Sequence, residues 1–196
     1  MAQEVAATWQ EYVDYQDIRV LEIGMDLAYF DHLKRLAENL EHPLLESLVT
    51  LTIDCYNVIT VERALSLKKP GSFMKQLLSD AGTLSAREVI QCVEQGNLIS
   101  WFQQVNPLPY DVELTRYEEQ MRAGRVSAET VEYLEHVIKY RILEQASFET
   151  DGPLPLARYL FGKELEVKNL RLVLTGLDNQ LPIDKIKERM RPIYGQ

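Results

Sequence analysis

Residues 43–65, PLLESLVTLTIDCYNVITVERAL, run for 23 residues without a glycine or an internal proline. That length decides the fold class. Val49, Thr50, Thr52, Ile53, Val58, Ile59, Thr60 and Val61 are β-branched and would suit a strand by propensity. A strand, however, rarely exceeds about ten residues. A helix takes the whole run, with Pro43 in the first turn, where its missing N–H costs nothing.

The other segments carry the same period and clearer ends. In LSAREVIQCVEQGN, Ser85 reads as N-cap and Glu88 as its capping-box partner; Leu84 staples to Val89 and Gly96 closes the helix. Ser127 starts a helix on which Val131, Leu134, Ile138 and Ile142 repeat at three- and four-residue spacing. Residues 164–190, ELEVKNLRLVLTGLDNQLPIDKIKERM, read as a long helix, a polar turn and a short helix opened by Pro182. Leu165, Val167, Leu170, Leu172, Val173 and Leu174 mark that long helix as bound for a core. VNPLPY (105–110) and TDGPLP (150–155) are the strongest breaks. No alternating strand with hairpin chemistry occurs. The expected fold is all-α.

The two long apolar helices align at one offset. Pro43-Leu44 matches Pro155-Leu156, Leu48 matches Leu160, Asp54 matches Glu166 and Asn57 matches Asn169, all 112 apart. Each is preceded by an aromatic-bearing amphipathic helix, which suggests a duplicated helical unit. The expected organisation is a leading helix (1–25), a first unit (26–104), a connecting segment (105–127) and a second unit (128–196).

Chemistry is scarce. His32, His42 and His136 lack the Glu-x-x-His or HExxH spacing of helical metal sites and read as surface or helix-end residues. Cys55 and Cys92 are too few for zinc and read as buried, reduced thiols. Gly162-Lys163 is followed by Glu164, not Ser or Thr, so no phosphate loop forms. Thirty acidic against 21 basic residues give a net charge of −9, which repels nucleic acid and anionic lipid. No apolar run approaches the roughly 18–20 residues of a membrane span. Catalytic, cofactor and metal residues are expected to be none.

The acid–x–x–Asn pairs, Asp54/Asn57 and Glu166/Asn169, are out of place on apolar helices. A buried carboxylate must be paired or hydrogen-bonded, and Arg63, Lys168 and Arg171 stand nearby as counter-charges. These acids and amides either tie each long helix to a neighbouring loop by bonding orphan backbone groups, or contact a partner. An enzyme using them as acid and base would need a deep polar pocket.

DLAYFDHL, IDCYNVITVERAL and LARYLFGKELEVKNLRLVLTGLDNQLPIDKIKERM together resemble the C/d subunit family of V-type and archaeal A-type rotary ATPases. The family's last repeat falls on Ala157 to Tyr159, Glu166-Val167-Lys168-Asn169-Leu170-Arg171, Gly176 and Glu188-Arg189; the middle repeat falls on Asp54, Asn57 and Arg63. The resemblance implies tandem helical units forming part of a funnel. It also implies a non-catalytic part of the central stalk without cofactor, cytoplasmic and peripheral to the membrane. Its partners would be the central shaft subunits and the membrane proteolipid ring, joined for proton or sodium transport. Asp54, Asn57, Arg63, Glu166, Asn169 and Arg171 become its structural or partner-contact candidates. Family members carry three repeats where this chain holds two, as a fragment or a shortened relative, with the third expected before Met1. The competing reading is a helical-repeat scaffold unrelated to ATPases.

Overall fold

The computed structural model describes residues 2–16, 18–105, 112–124 and 126–195. Among these there are ten α-helices and no strand, so the all-α expectation holds. The break expected at 105–110 lies, beyond Val105, outside the described residues. Two compact units part between Val131 and Glu132.

In the first unit, α1 (Ala2–Tyr15) packs on α2 (Ile18–Asn39). Their close approach needs Gly24, where a Cβ would lie 2.3 Å from Thr8 Cγ2. The central element is α3 (Pro43–Ser66), flanked by α2, α4 (Gly71–Leu77) and α5 (Ala86–Glu94). Leu51, Ile53, Cys55, Val58, Val61 and Ala64 on α3 are all buried, each large one contributing about 1.5–3 kcal/mol. Neither cysteine is in a disulfide: Cys55 is buried, as expected, and Cys92 is half-buried. By length and composition α3 could cross a membrane, which corrects the expectation that no run approaches a span. Here it is a core helix. The Ser85–Glu88 capping box forms at the start of α5. Then α6 (Ile99–Val105) and α7 (Val112–Arg122) follow, with Trp101, Phe102, Leu114 and Met121 buried.

The second unit holds most of α8 (Ala128–Glu144), with α9 (Leu154–Asp178) and α10 (Ile183–Glu188). The turn that follows α9 repeats the turn that follows α3, bond for bond, 112 residues later. Lys69 N donates to Ala64 O at 2.9 Å, and Leu181 N donates to Gly176 O at 2.9 Å. Lys68 and Gln180 occupy the left-handed position, at φ 55° and 56°. This is the closing motif that satisfies a helix's last carbonyls. Pro70 and Pro182 then cap α4 and α10, whose Met74 and Ile186 are buried in register.

A further expectation is corrected. Of the α9 residues read as core, Leu165 is buried, but Val167, Leu170 and Leu174 are 46%, 62% and 67% exposed.

Candidate functional site

The two asparagines make the same device. Asn57 Oδ1 accepts from Ser79 N at 3.0 Å while its Nδ2 donates to Ser79 O at 2.8 Å. Asn169 Oδ1 accepts from Arg191 N at 2.9 Å while its Nδ2 donates to Arg191 O at 3.0 Å. In both, a carboxamide grips both backbone groups of the residue 22 positions on. Only an amide can do this, because the task needs one donor and one acceptor on a planar group. A carboxylate lacks the donor. Each clamp fixes the end of the short helix's exit segment to the long helix, and both asparagines are buried.

The acids diverge. Asp54 is buried, and its Oδ1 accepts from Thr83 N at 2.7 Å. Gly82 makes room for it, since a Cβ there would sit 2.3 Å from that oxygen. Burial pushes the Asp54 carboxyl above its ordinary range, opposed by bonds from Thr83 and Leu84 and by the Trp101 indole. The indole lowers the pKa without reaching good hydrogen-bond geometry, so Asp54 Oδ2 and Trp101 Nε1 are both buried without a partner. Asp54 thus holds the loop before α5 by bonds to backbone N–H, not by an ion pair.

Glu166 does none of this. It is half-buried at the surface of α9, and both oxygens take Lys163 Nζ, at 3.1 and 2.8 Å. The expectation that it is a buried acid tying its helix to a loop is therefore corrected. Register alone does not bury a side chain; the face of α9 that carries it is open. Arg63 and Arg171 are exposed, and no arginine is among the groups that set the Asp54 pKa. Lys168 turns to Glu164, at 2.6 Å.

His136 departs furthest from its expected place at a surface or helix end, for it is buried in mid-α8. Arg191 Nε donates to its Nδ1 at 3.0 Å, and Lys168 Nζ lies 2.6 Å from its Nε2. Burial first, and then the charges of Lys168, Arg191 and Lys139, hold its pKa down to about 3. The ring is neutral, and it braces the segment that Asn169 clamps. Nothing in the local sequence marks this, because the partners lie 32 and 55 residues away. Tyr140 adds a bond to Ile193 O at 3.2 Å. Gly162 admits the Tyr194 ring, which a Cβ would meet at 2.5 Å.

No group of three or more metal-ligating side chains occurs among the described residues. An open depression of about 260 Å³ is lined by Asp31, Lys34, Arg35 and Ala81, and neither clamp contributes to it. The arrangement is thus one of structural ties, built twice.

Comparison with known proteins gives a consistent set. Residues 2–189 match the family described as ATP synthase (C/AC39) subunit. The C subunit of the V-type sodium ATPase of Enterococcus hirae is 30% identical over 177 residues, covering 89% of this chain and 52% of that protein. The C subunit of the A-type ATP synthase of Pyrococcus horikoshii is 23% identical over 175 residues, covering 88% and 47%. The counterpart in Thermococcus onnurineus is 27% identical over 153 residues, covering 76% and 39%. The chain spans about half the length of the curated relatives it matches. No solved structure gives a significant match.

Proposed function

Because the chain belongs to the ATP synthase (C/AC39) subunit family, we propose that it is a non-catalytic central-stalk subunit of a V- or A-type rotary ATPase. In this reading it joins the rotating shaft of the ATP-hydrolysing head to the membrane proteolipid ring, on the cytoplasmic face, so that ATP turnover and ion transport share one rotation. The family match over residues 2–189 carries the proposal. It also displaces the scaffold unrelated to ATPases.

The geometry supports such a part physically. A connector between rotating bodies transmits torque only if it is stiff, and stiffness in helical proteins comes from packed, satisfied interfaces. Two carboxamide clamps on backbone, each beside a closed helix end, supply that within each unit. Residues 26–104 and 128–196 act as repeated struts, and Asp54, Asn57 and Asn169 hold them rigid. Glu166, Arg63 and Arg171, being half-buried or exposed, remain for partner contact.

The test is functional separation. Membranes carrying the ATPase complex without this subunit should still hydrolyse ATP at the head but lose ATP-driven ion transport, and adding the subunit back should restore it. Ion transport that continues at full rate without the subunit would refute the coupling role.

A further inference from the structure

The two units join their paired helices differently. In the first, α2 ends at Asn39 and α3 begins at Pro43, leaving three residues between them. In the second, α8 ends at Glu144 and α9 begins at Leu154, leaving nine. Three residues suffice to turn the chain, so the longer loop has length to spare, and spare loop length is where contact residues are commonly carried.

Near the middle of that loop stands Phe148, 95% exposed. Among the described residues the next most exposed large apolar side chain is Leu67, at 70%. Apolar residues scattered singly over helices need no explanation. Phe148 differs, for it lies outside the helices and buries almost none of its ring. The backbone beneath it is nonetheless fixed. Ala146 N donates to Leu143 O, Ser147 N to Glu144 O and Glu149 N to Ala146 O, each at 3.1 Å. Leu143, Ala146 and Leu154 are buried and hold the loop at both ends. An aromatic ring held out from an ordered turn gives the fold nothing, but it can enter a pocket at little conformational cost, and aromatic anchors dominate protein contacts.

The neighbouring charges say what kind of pocket. Glu149 and Asp151 are exposed on the same loop, and residues 145–153 contain no lysine or arginine. Arg158, at the start of α9, is already engaged. Its Nε and Nη2 donate to Glu144 at 2.8 and 3.1 Å, and its guanidinium lies 4.9 Å from the centre of the Tyr194 ring. The exposed ring is thus accompanied on its loop by acid alone.

We propose that Phe148 is an anchor that seats in an apolar pocket, edged by lysine or arginine, on a neighbouring protein subunit of the ATPase complex. Glu149 and Asp151 meet the basic edge, steer the approach and fix the orientation. The inference rests on the central-stalk reading for the presence of a neighbour, and on the loop's own geometry for the contact.

The test titrates membranes carrying the complex without this subunit with the purified chain, reading bound chain and recovered ATP-driven transport. Phe148→Ala should need at least about tenfold more chain for half-maximal rebinding, yet melt with wild type, because the ring adds nothing to the fold. Salt should weaken rebinding of wild type, and Glu149→Gln with Asp151→Gln should lessen that dependence. Rebinding of Phe148→Ala at the wild-type concentration would overturn the proposal, as would a salt dependence that the double variant leaves unchanged. A lower melting temperature for Phe148→Ala would overturn it too, by placing the ring inside the fold. So would a dimer of the free chain that Phe148→Ala dissolves, because the occupant would then be a second copy. Failure of the anchor alone leaves wild-type rebinding intact. Wild type that neither rebinds nor restores transport would instead refute the central-stalk reading, and this inference with it.

Discussion

Asn57→Asp is the sharpest probe of the clamp, because it changes one group and almost no volume. The new Oδ1 would still accept from Ser79 N. The second oxygen would replace Nδ2 and face the Ser79 carbonyl, at the 2.8 Å now spanned by a donor. Two acceptors would meet, in a place where the side chain is 0% exposed. Leaving one buried carbonyl unsatisfied costs about 1–3 kcal/mol. The buried carboxylate, which gains no cation, brings the total to about 3–5 kcal/mol. For a chain of this size that is a fall in melting temperature of about 6–20 °C. Burial would also raise the new carboxyl's pKa above its unfolded value of about 3.9. The folded state would then bind more protons than the unfolded one, so the penalty would grow as pH rises above that value and shrink as pH falls toward it. Thermal melts of wild type and variant at neutral and mildly acidic pH measure both effects. Asn169→Asp should fall less, because its site is 7% exposed. An Asn57→Asp protein that melts with wild type at neutral pH would refute the clamp as a source of stability.

Three further outcomes are expected. Gly82→Ala would drive a Cβ to 2.3 Å from Asp54 Oδ1, and chemical denaturation should show a loss of about 1–3 kcal/mol. Lys68→Gly and Gln180→Gly, at φ 55° and 56°, should each be neutral or stabilising, by up to about 1 kcal/mol; matching melting shifts would express the shared turn, and a loss at either would contradict it. His136 has its folded pKa lowered to about 3, so the unfolded chain binds the extra proton and stability should fall as pH drops from about 6.5. The loss should reach about 2 kcal/mol by about pH 5, and His136→Gln should flatten the pH dependence of melting across that window.

Some of this is legible in the chain and some is not, for physical reasons. Helix length, caps and the 112-residue register are local or periodic properties, and sequence displays them directly. The clamps' asparagines are visible for the same reason. Their partners are not, because Ser79 and Arg191 are held through backbone atoms that every residue possesses. Glu166 reads as buried only by register, whereas burial belongs to a face, and the face of α9 lacks the covering that α3 has. His136 differs again, for its role depends on Lys168 and Arg191 arriving from two other segments. Its only local hint is a histidine flanked by Leu134, Val137 and Ile138 on a buried stretch of helix.

Gripping backbone in place of a side chain has a consequence for how such a part can vary. Ser79 and Arg191 share no chemistry, yet the same four-atom clamp holds both. The position after each short helix is therefore free to change while the tie persists, provided the residue keeps its N–H, which excludes proline. The acid three residues before each asparagine has no such freedom of partner. It must find donors, and where the loop and Trp101 close over it, as at Asp54, it is buried; where α9 is open, as at Glu166, it turns outward to Lys163.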